Sequence, residues 1–427
     1  MDDIVDAHYF MTRTQGNVYS LVPLNLTSGV SLFIAASWKR SIYSFGYCGN
    51  PEGSMKPTVK EHSFTYIPSG AEIISIDAFN KSSTCDDFHI GIAITKMGGD
   101  HPEMYMNIYS EQDLDTNYTL NIDSIAQNCF MLDLKFFPYH LTHTAVHQPN
   151  SSIQKETVWL LSGSDSKIHV FQEELQTHSW SETDVSELFP ELVDPPSTVL
   201  WINVRHTHNL TRRVTVIGCD VGFTQVSIVN TLSNTVLQKL SEIFESPVTH
   251  VQIFSMAPDS VNPPRGFSVE DSYCEGSIEK ISNSQDSDLH LLVCNGNNRS
   301  CVFMNIEDKG LSESNKIELD GSDSHDACVC SCVCDLDMDG ENEILIGTFG
   351  SALLVYKWIG KEWVERGVRN TAAPVHGLQF LDLVGDGSSQ LIVQTSAGVH
   401  IMQHKAKHMF QVLLSRLQPS EPTISPD

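Results

Sequence analysis

Apolar and polar positions along the chain fall into one repeated phrase. A short apolar run is followed by a turn rich in glycine or serine and then by a second apolar run. The phrase occupies residues 30–45, 88–109, 157–171, 214–229, 289–306, 343–358 and 390–403. Runs of this length, bounded by turn residues, are the pattern of β-hairpins whose strands are half or fully buried. Most copies follow another apolar segment, as at 73–79, 130–137, 199–204 and 250–255. Many precede a weaker one, as at 64–67 and 235–240. Four strands per unit, with hairpins starting at 30, 88, 157, 214, 289, 343 and 390, give units of 47 to 75 residues. That arrangement predicts an all-β chain, a seven-bladed β-propeller. Radial repetition gives each blade a neighbour to bury its faces against and leaves only short edges. The Trp-Asp dipeptide of WD repeats is absent, since no tryptophan here precedes an aspartate.

Two stretches depart from the pattern. Residues 258–288 contain Asn262-Pro-Pro-Arg-Gly266 with scattered acids and serines, and read as a long surface insertion. Residues 110–128 are a milder interruption. After Gln403 the period changes: Phe410, Leu413, Leu414 and Leu417 follow helical spacing, with Lys405, Lys407 and Arg416 among them. The propeller is therefore placed at 1–404, a short amphipathic helix at 405–418 and a disordered tail at 419–427. The helix is expected to pack on its own domain; a partner for its apolar stripe is the alternative. The last blade shows strands near Leu378, Leu391 and Val399 and no outer strand. His8 to Thr12 is locally apolar and precedes the first blade's own strand at 17–21. It is predicted to supply the missing strand, so that the ends of the chain lock together.

Length alone, 427 residues, would suggest two or three domains, but closed β repeats are the exception. Acids exceed bases by 53 to 26, a formal charge of −27. Such a surface repels phosphate backbones and anionic lipid, which argues against nucleic-acid partners and basic-patch membrane binding. No apolar run approaches the roughly 20 residues of a spanning helix. Residues 1–10 have acids and no apolar core, so no signal peptide is expected. Eleven cysteines, an odd number, then read as free thiols in a reducing compartment.

The search for chemistry leaves one candidate. Phosphate loops and dinucleotide fingerprints are absent. Residues 162–166, Ser-Gly-Ser-Asp-Ser, lack the frame of a nucleophile turn and sit where a hairpin turn is expected. His140, His143 and His147 would share a helix face, but the segment reads as a strand leaving into a loop, with no acid or thiol partner for zinc. Cys328, Cys330, Cys332 and Cys334 alternate at the strand period, which places four sulfurs on one face of an innermost strand. Spaced about 6.6–7 Å apart, they cannot close a tetrahedron. Asp335, Asp337, Asp339, Gly340 and Glu343 follow immediately. Carboxylates at alternate positions with a glycine for the turn make the oxygen cage that a hard cation such as Ca²⁺ takes. The loop is not an EF-hand, because its twelfth position is Ile346. A degenerate copy begins 47 residues later at Asp382, with Val384 in place of an acid and Gln390 at the closing position. No metal is expected there. The alternative for the Asp335 loop is an acidic turn whose side chains bond their own backbone.

The Asp335 loop between two strands resembles the FG-GAP repeat of integrin alpha-chain propellers. That resemblance implies Ca²⁺ held by side-chain oxygens of Asp335, Asp337 and Asp339, a backbone carbonyl of Glu341 and the carboxylate of Glu343, where an aspartate is usual. A second resemblance rests on Asn17-Val-Tyr19, Tyr66-Ile-Pro68, the run Ala71-Glu-Ile-Ile-Ser-Ile-Asp77, and Asn80-Lys-Ser82. It continues through Asp123-Ser-Ile-Ala-Gln127, Leu188-Phe-Pro-Glu-Leu192, the Asp335 loop and the run 398–403. Together these phrases, from about Asn17 to Leu417, resemble the kaptin family. The resemblance implies a non-enzymatic scaffold subunit of the KICSTOR complex with no catalytic residues and no organic cofactor. It implies further KICSTOR subunits as partners, especially an FG-GAP-repeat propeller subunit and a large scaffold subunit. It also implies recruitment of the Rag-directed GTPase-activating complex to the cytosolic face of the lysosomal membrane, and restraint of TOR kinase signalling when amino acids or glucose are scarce. The family's other description, an actin-associated protein of lamellipodia and stereocilia, is the alternative; the acidic charge weakens simple attraction to actin, itself acidic.

Overall fold

The computed structural model describes residues 3–49, 55–82, 84–98, 101–111, 120–147, 155–174, 176–208, 210–258 and 288–417. The expected insertion at 258–288, apart from its end residues, and the tail at 419–427 lie outside them. Seven four-stranded antiparallel sheets form the blades of a β-propeller. Blades 1 to 6 are each cut from one stretch of chain, at 21–62, 71–134, 138–183, 199–243, 248–318 and 328–370. Within each, strands pair in chain order, and the first strand lies beside the first strands of the neighbouring blades.

Blade 7 takes three strands from residues 375–404 and its outer strand, Ile4–Met11, from the other end of the chain. That strand pairs antiparallel with Gly398–His404, from Ile4 opposite His404 to Met11 opposite Gly398. The predicted closure by the N-terminal segment is therefore present and begins earlier than His8. The pairing satisfies the last edge and seats Ile4 and Phe10 against the apolar layers on either side of blade 7.

Apolar clusters fill the spaces between blades. One joins Leu24, Ile34 and Ile42 of blade 1 to Ile73, Ile90 and Ile92 of blade 2. Another joins Phe33 and Phe45 of blade 1 to Ile392 and Ile401 of blade 7. Second strands such as Phe88–Lys96 and Glu343–Thr348 are covered on both faces, which is why they read as continuous apolar runs rather than alternating ones.

Three local expectations need correction. Residues 130–137 do not begin blade 3. Cys129–Leu134 is the outer strand of blade 2, and the first strand of blade 3 is Pro138–His147. Proline is tolerated as the first residue of a strand, so Pro138 opens this one rather than ending the previous one. Residues 64–67 are a turn that buries Phe64 and Ile67, with Phe64 edge-on to Tyr109 at 4.9 Å; the outer strand of blade 1 is Met55–His62. The first strand of blade 1 is Leu21–Asn25, and Asn17–Ser20 forms a turn before it.

The four alternating cysteines lie on the first strand of blade 6 as expected, but they do not share one face. The register slips between Cys328 and Cys330, a β-bulge at Val329. Cys328 consequently packs toward blade 5, while Cys330 and Cys334 pack toward blade 7. All four are free thiols. Gly347 opposite the bulge is obligatory for space: a Cβ there would stand 2.5 Å from both Cys330 Sγ and Val375 Cγ1.

The C-terminal helix, Ala406–Leu417, leaves the ring directly after blade 7. Lys405 N donates to Asp3 O, and the rings of His404 and His408 stack at 5.7 Å. The expectation that its apolar stripe packs on the propeller is not met. His408, Met409 and Val412 are half-buried, whereas Phe410, Leu413 and Leu414 are 60, 55 and 44 % exposed.

Candidate functional site

The acidic loop joins the first strand of blade 6, Cys328–Cys334, to the second, Glu343–Thr348. Its shape comes from side chains bonding to backbone amides. Asp335 Oδ2 accepts from Gly340 N at 3.0 Å, and Asp339 Oδ1 from Glu341 N at 3.0 Å. Glu343, buried at the base, accepts with Oε2 from Leu336 N at 2.7 Å and Asp337 N at 3.3 Å. Gly340 adopts φ +93°, the left-handed turn for which glycine is suited, and Met338 sits at +65°.

Of the five residues proposed for Ca²⁺, side-chain oxygens of Asp335, Asp337 and Glu343 lie within 4.8 Å of one another. Asp339 lies alongside, and Glu341 is exposed. A sixth residue, Lys357 on the third strand of the blade, stands among them. Its ammonium donates to Asp337 Oδ2 at 2.5 Å, Asp339 Oδ2 at 2.7 Å and Glu343 Oε1 at 2.8 Å. These are lengths of charge-assisted hydrogen bonds. Burial opposes the lysine's charge, but the three carboxylates outweigh it and raise its pKa above the ordinary value. Burial raises Asp335 and Glu343 above the usual carboxylate range. At Asp339 burial acts the same way, but the Lys357 hydrogen bond prevails and the carboxyl is held low. The donor set therefore does not offer a free cage: two of the three converging carboxylates already hold an ammonium. Lys357 was missed because it sits inside the apolar run Leu353 to Trp358. Its signal is register: Ile344 pairs with Tyr356, so Lys357 falls directly opposite Glu343.

The copy in blade 7 keeps the same scaffold with two carboxylates fewer, since Val384 and Gln390 stand where blade 6 has Asp337 and Glu343. Asp382 Oδ2 accepts from Gly387 N at 2.7 Å, Asp386 Oδ1 from Ser388 N at 2.9 Å, and Gln390 Oε1 from Leu383 N at 2.9 Å. Leu391 pairs with Met402, which places Gln403 opposite Gln390, where blade 6 has Lys357 opposite Glu343.

On the innermost strands of blades 3 to 5, side-chain rings stack on one another. His140 of blade 3 stacks on Trp201 of blade 4 at 4.2 Å, and His250 of blade 5 lies 4.0 Å from the same indole. Tyr19, from the turn before blade 1, reaches across to Trp201 at 5.7 Å and donates from its hydroxyl to Leu200 O at 2.8 Å. Burial holds both imidazoles neutral, with pKa values pushed down to about 3. His140 Nδ1 accepts from Ile202 N, which fixes its tautomer. His143 pairs instead with Asp77 of blade 2 at 2.7 Å, so the strand separates these two histidines. The side chain of His147 lies outside the described residues. Ser162 to Ser166 is the hairpin turn expected, with Ser166 N donating to Gly163 O.

The phrases that carry the kaptin-family resemblance lock blades together. Asn17 Nδ2 donates to Ile74 O of blade 2. Asp123 pairs with His62 of blade 1 at 2.6 Å and with Lys60. Glu191, fully buried between blades 3 and 4, takes Arg213 through two bonds, at 2.8 and 3.0 Å, and the guanidinium lies over Phe189 at 4.3 Å. Sequence reading did not single out this pair, because nothing in the residues around Arg213 marks it as interior.

The model of the family described as KICSTOR complex protein kaptin matches residues 4–414. The KICSTOR complex protein kaptin of Mus musculus is 34% identical over 410 residues, which cover 95% of this chain and 89% of that protein. A chain from the crystal structure of BBS1N in complex with ARL6DN, soaked with lead, superposes with a TM-score of 0.53 at 10% identity over 95% of this chain and 97% of that chain. The structure of the Dos1 propeller gives 0.49 at 10% identity over 94% and 96%. The first of these structural likenesses speaks for the fold alone.

Proposed function

The chain belongs to the family of the KICSTOR complex protein kaptin, and from that membership we propose that it works as a non-enzymatic scaffold subunit. In this reading it recruits, with the other KICSTOR subunits, the Rag-directed GTPase-activating complex to the cytosolic face of the lysosome, and so restrains TOR signalling when amino acids or glucose are scarce. The observation that carries a protein-binding role is the C-terminal helix. Phe410, Leu413 and Leu414 form an i, i+3, i+4 stripe that the propeller leaves in solvent. The same segment carries Lys405, Lys407 and Arg416 and no acid, in a chain of net charge −27. An amphipathic helix of this kind anchors in the groove of another protein. We assign that groove to a companion subunit of the complex. Among the described residues no helix is long and apolar enough to cross a membrane, so attachment at the lysosome falls to partners.

The test is purification of the tagged chain from gently lysed, nutrient-starved cells, beside the variant Phe410→Asp/Leu413→Asp. The wild type should bring down the companion propeller and large scaffold subunits and mark lysosomes, and the variant should lose them at least in part. A wild-type chain that elutes alone and stays off lysosomes overturns the scaffold role. Co-sedimentation with pure actin filaments at physiological salt would transfer support to the cytoskeletal alternative.

A further inference from the structure

The acidic loop of blade 6 has the residues of a cation cage, and a cation that belongs to the protein already sits among them. We propose that Lys357 is a built-in counter-ion: its ammonium takes the position a divalent cation would hold and makes the loop of blade 6 independent of calcium.

Contact geometry is the first support. The ammonium lies within 2.8 Å of oxygens from Asp337, Asp339 and Glu343, and so ties the loop between the first two strands to the third. A tetrahedral ammonium with three donors matches three acceptors. Calcium would need carboxylate oxygens at about 2.3–2.6 Å, and two of the three converging side chains, Asp337 and Glu343, already give theirs to Lys357. Of these, Glu343 has both oxygens engaged, Oε1 by Lys357 and Oε2 by backbone amides of Leu336 and Asp337.

The copy in blade 7 supplies the second support, independent of the first. It folds into the same hydrogen-bond scaffold with Val384 where blade 6 has Asp337, and with Gln390 where blade 6 has Glu343. The turn is thus made by aspartates bonding amides and needs no cation. The position opposite changes in step: Gln403 faces the amide of Gln390, and Lys357 faces the carboxyl of Glu343. The lysine accompanies the two additional carboxylates, Asp337 and Glu343, and is absent where Val384 and Gln390 replace them.

The experiment compares the full chain with Lys357→Gln and with the pair Glu343→Gln/Lys357→Gln, which reproduces the facing glutamines Gln390 and Gln403 of blade 7. Thermal unfolding is followed in chelator and in millimolar calcium chloride, with calorimetric titration of calcium into each protein. The wild type should melt at one temperature in both buffers and take up no calcium. Lys357→Gln should melt several degrees lower in chelator and recover toward the wild type with calcium, because the vacated position then accepts it. The paired variant should recover without calcium and ignore it. A wild-type midpoint that rises with calcium, or heat of calcium uptake by the wild type that the paired variant lacks, overturns the proposal. An unchanged midpoint for Lys357→Gln, or one that calcium does not move, overturns it too. Should Lys357→Gln fail to fold, the paired variant decides: folding supports the proposal, and failure to fold sinks it.

Discussion

Blades 6 and 7 carry the same turn, but two differences separate them. In blade 6 the turn holds Asp335, Asp337, Asp339 and Glu343 and is tied by Lys357 to the third strand. In blade 7 the corresponding turn closes with Gln390, whose Nε2 supplies its own donor to Ser388 O at 2.7 Å. Blade 6 is also one continuous stretch, whereas blade 7 borrows its outer strand from residues 4–11. The lesson is that turn geometry and turn charge are separate properties. Amide-accepting aspartates set the shape in both blades. The two further carboxylates, Asp337 and Glu343, are present in only one, and there a counter-ion comes from the facing strand, because like charges in contact otherwise raise one another's energy.

The most severe way to test the difference in chain origin is to delete residues 3–11. The deletion removes a whole strand and bares the edge of Gly398–His404. A loss on the order of the entire folding free energy, ~5–15 kcal/mol, is expected, seen as a lost or much lower cooperative transition by circular dichroism, with aggregation. If the shortened chain melts like the intact one, blade 7 stands alone as blade 6 does. Next in size is removal of the closing acceptor. Glu343→Ala removes the buried one of Lys357's three carboxylate partners and unpairs Leu336 N, and should cost roughly 3 kcal/mol in urea unfolding. Gln390→Ala loses only neutral bonds and should cost about 1–2 kcal/mol. Equal values would mean that the charges of blade 6 are idle.

Acid separates the loop from the centre of the ring. His140 and His250 are depressed to about 3 by burial, against about 6.5 when unfolded. The unfolded chain therefore binds protons that the folded chain refuses. Their contribution to stability is complete above about pH 6.5 and is lost progressively as pH falls toward 3, near 2 kcal/mol for each histidine at about pH 5. The Glu343→Gln/Lys357→Gln variant should keep this decline, since the plug is untouched. Any difference between its pH profile and that of the wild type isolates the loop. A wild type flat from pH 7 to about 5 would contradict neutral histidines at the ring centre. The smallest expected effect is conformational. Met338 stands at φ +65° where blade 7 has Gly385 at +79°. Met338→Gly should therefore be neutral or stabilise by up to about 1 kcal/mol. Gly385→Ala should destabilise by about 1 kcal/mol or more, since its Cβ would also stand 2.9 Å from Val30 Cγ2.

Hairpins were legible in the sequence because second and third strands are buried on both faces and read as unbroken apolar runs. First and outer strands were less so. Met55–His62 is almost wholly exposed and shows no apolar alternation, whereas the apolar 64–67 that was read as a strand is a turn packed under Tyr109. Pro138 hid the start of blade 3. The acidic loop announced itself by composition, but its counter-ion did not, because Lys357 meets Glu343 only through strand register. Period-two spacing placed Cys328 with the other three sulfurs, and one extra residue at Val329 moved it to the opposite face. The central plug was invisible for a related reason: Tyr19, His140, Trp201 and His250 come from four separate segments, and only ring closure brings them together.

That closure also sets an order in time. Within the outer pair of blade 7, His404 is synthesised 400 residues after its partner Ile4 (404 less 4). At ~5–20 residues per second, the two are separated by roughly 20 to 80 seconds of synthesis. Throughout that interval Ile4–Met11 has no sheet to join, and Val375–Leu381 and its neighbours do not yet exist. Blades 1 to 6 can form in succession as they emerge, but the seam between first and last closes only once residues 398–404 are available. A newly made chain therefore passes through an open arc with two bare edges, a form on which chaperones or early partners would act before any ring exists.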